Sequence, residues 1–213
     1  MEKGIFSVYK PRGITSHDVV EKVRKITGEK RVGHGGTLDP FASGVLVIGV
    51  GREYTKQLGN ILKGTEKVYR ATIRLGATST TDDPEGEIIE VRHPNIPTQE
   101  KVTNVLEDFE GEIEQLPPAF SAIKIKGKKA YELARKGIMP FLKPRKVIIK
   151  RIELLHYRWP FLDIEVVVSS GTYIRSLARD IGQKLGVGGY VIKLERTRVG
   201  AYTIQKAHHL LGK

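Results

Sequence analysis

Apolar positions follow two periods along the chain. Gly4 to Tyr9 alternates loosely and predicts a short strand, which stops at the turn Lys10-Pro11-Arg12-Gly13. Val19, Val20, Val23 and Ile26 then recur at helical spacing, with Thr15 or Ser16 as the cap and Gly28 as the stop. Val45 to Val50 is an apolar run that reads as a strand, and Glu53 to Leu62 as a helix carrying Lys56. Lys67 to Leu75 alternates strictly, setting Tyr69, Ala71, Ile73 and Leu75 on one face and Val68, Arg70, Thr72 and Arg74 on the other. A polar acidic loop, Thr78 to Gly86, leads to a strand at Glu87 to Val91, and Thr98 to Phe109 predicts a helix. After Pro117-Pro118 come a strand within Ala119 to Ile125, a turn at Lys126-Gly127-Lys128 and a short helix at Ala130 to Lys136. Val147 to Tyr157 and Phe161 to Ser169 form a hairpin about Arg158-Trp159-Pro160. A helix capped by Thr172 has Ile174, Leu177, Ala178, Ile181 and Leu185 inward; a strand, Tyr190 to Val199, and a terminal helix near Gln205 to Leu211 follow. Strands, helices and hairpins mixed in this way indicate an α+β fold, and no repeat or linker divides the chain.

One stretch stands outside both periods: Gly33-His34-Gly35-Gly36-Thr37-Leu38-Asp39-Pro40-Phe41-Ala42-Ser43-Gly44. Its glycines give a backbone that can take positive φ and let a ligand come close. Pro40 biases Asp39 toward extended geometry, so one carboxylate is presented on a stiff turn, a posture suited to a nucleophile, although such a loop taken alone more often makes a plain Asx turn. Arg175 is the second signal. It opposes the dipole at the start of its helix, and no acid occupies positions 171, 172, 178 or 179, so a carboxylate partner must come from a distant segment, Asp39 being a candidate. Tyr69 points toward an interior or a cleft; a core tyrosine is the ordinary occupant of such a position, and its hydroxyl needs a partner or water if buried.

Charge narrows the partner. Lys and Arg total 36 against 24 Asp and Glu, a net +12 that favours a polyanion. From Ser121 to Arg158, 38 residues hold twelve bases and two acids, so this stretch alone carries +10 and points to nucleic acid. There is no cysteine, the histidines show no zinc spacing, and no window reaches the ~18 apolar residues of a membrane span. These features predict a cytoplasmic protein with no metal and no cofactor.

Taken together in this order, the segments resemble the TruB family, the tRNA pseudouridine synthases that isomerise uridine at position 55 in the T loop. The resemblance is carried by Lys10-Pro11 with Gly13 and Thr15-Ser16, Gly33-His34 through Pro40, Tyr69-Arg70, Pro117-Pro118 with Ser121-Ala122 and Lys124, and Gly171 to Arg175. It implies a pseudouridine synthase fold, with a central, mainly antiparallel sheet, flanking helices and a catalytic cleft across it. Residues 1–213 then form a single catalytic domain, without the C-terminal PUA domain that bacterial members usually carry. Asp39 is implied as catalytic aspartate, Tyr69 as the aromatic stacked on the flipped base, and Arg175 as ion-pair partner of Asp39. Leu194 is implied as an active-site apolar contact, and His34, Lys10 and Tyr173 as substrate-binding residues. The implied partner is the T-arm of tRNA, bound by a monomer without guide RNA. Ser170 stands where guide-RNA-dependent relatives often carry serine, whereas Gly127, Tyr131 and Ala134-Arg135 look bacterial. An RNA-folding module without catalysis is the reading from another class, since a basic cleft would suffice for it.

Overall fold

The computed structural model describes residues 2–92, 95–121, 123–125 and 127–210. In chain order the elements are β1 (Gly4–Lys10), α1 (Ser16–Thr27), β2 (Val32–Gly35), β3 (Ser43–Val50), α2 (Arg52–Leu62), β4 (Lys67–Leu75), β5 (Ala77–Ser79), β6 (Ile88–Glu90), α3 (Gln99–Glu107) and β7 (Gly111–Gln115). They continue with β8 (Lys124–Ile125), β9 (Lys128–Lys129), α4 (Ala130–Ala134), β10 (Arg145–Arg158), β11 (Phe161–Val168), α5 (Ile174–Leu185), β12 (Gly189–Val199), β13 (Tyr202–Thr203), a 3-10 turn (Ile204–Lys206) and β14 (His208–His209). The fold is α+β, with a mainly antiparallel sheet, as expected. The chain divides into two compact units, one of Met1–Arg70, Val166–Ser170 and Lys193–Lys213, the other of Ala71–Glu165 and Gly171–Ile192.

In the first unit the strands run in the order β14-β1-β3-β12, with β2 also on β3 and β13 on β12. β1 is antiparallel to β3 and β2 to β3, while β12 and β3 are parallel. All eight residues of β3 are buried, and its alternation serves two cores. Leu46, Ile48 and Val50 pack with Val19, Val20 and Val23 of α1, while Val45 and Val47 pack with Leu58 and Leu62 of α2. A strand covered on both faces reads as an unbroken apolar run, which is why Val45–Val50 lacks alternation. α1 begins as expected, at a Thr15 cap whose hydroxyl accepts the Asp18 amide while the Asp18 carboxylate accepts the Thr15 amide, and it ends at Gly28 with φ 69°. Ile26, expected inward, is half exposed.

The second unit holds β10 and β7 in an antiparallel pair, the short pairs β5-β6 and β8-β9, and the hairpin between β10 and β11. α3 packs on α5 and β10, burying Val102, Val105 and Leu106, and α5 buries Ile174, Leu177, Ala178, Ile181 and Leu185. Gly182 lets α5 meet the following turn, since a Cβ there would come 2.2 Å from the Gly189 nitrogen.

Several expectations are corrected. Gly33–Gly35 is a strand rather than a loop, because Leu58 and Leu62 of α2 lie against it. Gly35 is needed there for space, a Cβ meeting Leu62 Cδ1, and only Gly36 and Gly44 of the segment have positive φ. The terminal helix is instead the 3-10 turn and β14, which pairs parallel with β1; Leu211 lies outside the described residues. The strand expected within Ala119 to Ile125 is only β8, Ala122 and Lys126 lying outside the described residues, and the acidic loop opens with β5. The cap of α5 is Tyr173, not Thr172, without a side-chain bond. No helix among the described residues is long and apolar enough to cross a membrane.

Candidate active site

The turn that carries Asp39 is held on every side by the segment between β1 and α1. Asp39 and Ala42 close the turn through their backbones, the Ala42 amide donating to the Asp39 carbonyl at 3.1 Å, with Pro40 in the position where its fixed φ suits a turn. Before it, Ser16 Oγ donates to the Leu38 carbonyl and accepts the Leu38 amide, both at 2.9 Å. After it, the Gly13 amide donates to the Pro40 carbonyl at 2.8 Å, and Arg12 Nε donates to the Phe41 carbonyl at 3.0 Å. Lys10 is completely buried, its Nζ donating to the carbonyls of Pro11 (2.9 Å), Ile14 (2.7 Å) and Pro40 (3.4 Å). The first motif of the chain is thus the clamp of the second. Asp39 itself is half-buried, with its neighbours Leu38 and Phe41 buried beneath it.

His34 lies on β2 beside Gly35, opposite Ile48. Burial, with lesser contributions from Arg196 and His17, holds its pKa below the ordinary 6.5, so the ring is neutral at pH 7. Its buried Nδ1 has no hydrogen-bond partner. Tyr69 on β4 is 9% exposed and Leu194 on β12 is buried, both in this first unit. Among the expected residues the unit therefore holds Lys10, His34, Asp39, Tyr69 and Leu194.

Tyr173 and Arg175 belong to the second unit. Gln115, itself buried, fixes the start of α5 by accepting the Tyr173 amide (2.8 Å) and donating to the Tyr173 carbonyl (3.1 Å). Arg175 is 5% exposed, so it is not a surface residue. One Nη donates to Asp83 Oδ2 at 2.9 Å and to the Thr81 carbonyl at 3.2 Å, and the other to the Phe120 carbonyl at 2.8 Å. A carboxylate distant in sequence, Asp83, 92 residues away, is one partner of this guanidinium. Asp83 Oδ1 is occupied too, accepting from Thr81 Oγ1 (2.6 Å) and the Glu85 amide (3.0 Å). One turn along α5, Arg179 donates to Asp82, Asp180 and the Leu116 carbonyl. Burial raises the pKa of both Asp82 and Asp180.

Sequence reasoning missed Asp82 and Asp83, reading their segment only as a polar loop. The signal was there: two adjacent carboxylates, followed by Pro84, in a chain whose helix offers Arg175 and Arg179 four residues apart. Among the described residues no group of three or more His, Asp or Glu could hold a metal ion.

The chain is similar to several known proteins. The chain is 51% identical over 211 residues to tRNA pseudouridine synthase B of Mycobacterium sp. (strain KMS), covering 97% of this chain and 70% of that protein. It is 49% identical over 215 residues to the protein of the same name from Thermobifida fusca (strain YX), covering 97% and 73%. Among solved structures it is similar to a Cbf5-Nop10-Gar1 complex (TM-score 0.75, 33% identity) and to an H/ACA RNP bound to a substrate RNA containing 2'-deoxyuridine (TM-score 0.72, 31% identity). Each of these covers 97% of this chain, which spans about half of the matched chain, 52% and 51%. The family model for the tRNA pseudouridylate synthase B C-terminal domain matches residues 175–211, and that for the TruB family pseudouridylate synthase N-terminal domain matches residues 24–174. The chain belongs to the TruB family of pseudouridylate synthases.

Proposed function

We infer that this protein isomerises uridine to pseudouridine in tRNA, at position 55 of the T loop, with Asp39 as the catalytic carboxylate. The observation that carries the reading is the turn of Asp39, fixed by backbone-directed bonds to Leu38, Pro40 and Phe41 on both sides of that carboxylate. The reaction breaks the bond between ribose C1′ and uracil N1, turns the base, and forms a bond from C1′ to C5. N1 gains the proton that C5 loses, so atoms and electrons balance without a cofactor. Asp39 acts either by adding to C6 of the ring or by assisting cleavage at the ribose. Tyr69 offers a stacking face to the flipped base and a hydroxyl for proton transfer, and Leu194 an apolar contact. Arg175, whose guanidinium is oriented by Asp83, is the cationic residue that the family motif assigns to the reaction. Neutral His34 and Tyr173 bind the everted nucleotide. Lys10 acts on the site through the Pro40 carbonyl.

The basic stretch from Ser121 to Arg158 grips phosphates of the T-arm and sets position rather than sequence. The enzyme works as a monomer in the cytoplasm and without a guide RNA. Relatives named for tRNA stand at about 50% identity, against 31–33% for those from ribonucleoprotein complexes.

Incubating the chain with unmodified tRNA and quantifying pseudouridine tests the reading. Turnover is expected on tRNA alone and is abolished by Asp39→Asn, with RNA affinity kept within about several-fold. Turnover by the Asn variant would reject the catalytic role, turnover only with an added guide RNA would reject the stand-alone enzyme, and binding without turnover would leave an RNA-folding module.

A further inference from the structure

Arg196 on β12 is 2% exposed, and the mechanism above gives it no task. Its Nε donates to the Val45 carbonyl at 2.8 Å and one Nη to the Gly36 carbonyl at 2.7 Å. These carbonyls lie where two strands stop pairing. β2 and β3 are in register from Val32↔Val50 to Gly35↔Val47, so the next hydrogen-bonded rung would set Thr37 opposite Val45. In a continuing ladder the Thr37 amide would donate to the Val45 carbonyl. The guanidinium takes that acceptor instead.

The consequence is a sheet that opens at a defined residue. Gly36, at φ 71°, turns the backbone away beside the guanidinium, and residues 37–39 leave as the loop that presents Asp39. β3 is fitted to the same residue from its other end: Gly44 stands opposite Arg196 in register, at φ 110°, and a Cβ there would come 2.2 Å from the Arg196 carbonyl. No carboxylate among the described residues pairs with Arg196. A guanidinium buried against carbonyls alone stabilises a fold poorly, since its desolvation is only partly offset, and an apolar side chain would serve the core better. Its bonds, by contrast, lie at the root of the Asp39 loop. Its charge also contributes, after burial, to the lowered pKa of Lys67 as well as of His34.

We propose that Arg196 is a positioning residue for the isomerisation, standing in for the next rung between β2 and β3 and so setting where the Asp39 loop leaves the sheet. The inference rests on the reading of Asp39 as the catalytic carboxylate. Steady-state kinetics on unmodified tRNA test it with Arg196→Met, Arg196→Lys, Asp39→Asn and the core variant Val23→Ala, each assayed well below its own melting temperature. Arg196→Met is expected to lower kcat about 100-fold with KM within about twofold, as for a misplaced reacting group. Arg196→Lys, able to reach one carbonyl at a time, should recover part of the loss, while Val23→Ala, destabilised in the same unit, keeps kcat. A kcat for Arg196→Met within about threefold of wild type, or an equal loss in Val23→Ala, overturns the proposal. If Arg196→Met does not fold, Arg196→Lys decides alone: a drop of about tenfold at constant KM supports it, and an unchanged kcat overturns it. An active Asp39→Asn removes the carboxylate's role and this inference with it, whereas an inert Asp39→Asn beside an active Arg196→Met overturns the positioning role only.

Discussion

Replacing Asp83 by asparagine exchanges one oxygen for an NH2 group at constant shape, and the bonding leaves that group nowhere to go. Oδ2 accepts from Arg175 and Oδ1 from the Glu85 amide, so both oxygens face donors. Either orientation of the amide sets a donor against a donor. The Arg175 and Asp83 side chains are 5% and 4% exposed, so water does not repair the mismatch. Breaking one partner of a buried pair costs about 3–5 kcal/mol, and the low end applies because asparagine still accepts one of the two bonds. For a chain of this size about 3 kcal/mol lowers Tm by about 6–12 °C. Thermal melts followed by circular dichroism read this directly, and denaturant titration at unchanged m separates it from a change in the unfolded state. The same variant should lower kcat, because Arg175 loses the carboxylate that orients it. Asp82→Asn serves as the comparison: its pair with Arg179 is more exposed and burial already disfavours its ionised form, so a loss of about 1 kcal/mol or less is expected. A Tm for Asp83→Asn within about 2 °C of wild type would refute the argument.

Two further outcomes follow from the first unit. His34 is held below 6.5 when folded and titrates at about 6.5 when unfolded, so stability is fully present above that pH and falls as pH drops from 6.5 through the lowered value; His34→Gln should flatten the decline in Tm between about pH 7.5 and 5.5, and an unchanged slope would contradict it. Gly44→Ala should cost about 3 kcal/mol or more, because the clash is with the Arg196 backbone at φ 110°, whereas Gly35→Ala meets the movable end of Leu62 and should cost about 1–3 kcal/mol; equal losses in a urea titration would mean that the β3-β12 approach is less tight than described.

Much of this was legible in the chain itself. α1 announced both its ends, because Thr15 with Asp18 and the residue Gly28 act locally, and β4 and the hairpin of β10 and β11 were visible as alternation. Asp39 drew notice through its glycine and proline neighbours. What stayed hidden is what distant segments impose. β2 has the composition of a loop and becomes a strand because β3 and α2 need its lack of side chains for close packing. The residues His208 and His209 have no strand pattern of their own and pair because the edge of β1 accepts them. Asp83 is four residues into an ordinary-looking polar turn; only the fold brings Arg175 to it. The role of Lys10-Pro11-Arg12-Gly13 as a clamp was equally invisible, since its bonds go to the backbone of residues 40 and 41, which carries no sequence signature.

The separation between Gly36 and Arg196 also has a bearing on synthesis. The loop with Asp39 is made early, but the guanidinium that bounds it is added 160 residues later, on a strand that enters the same unit after a long excursion through the other. Domains tend to fold as units while a chain is being made, yet this unit lacks a sheet strand until β12 emerges. Pairings so remote in sequence form late, because the intervening loop must close first. A nascent chain past residue 158 already carries the strongly basic stretch but not the rung that sets the carboxylate loop. If Arg196 positions the loop as proposed, such a chain would meet RNA before it could alter it, and the chemistry would wait until β12 has been made and docked.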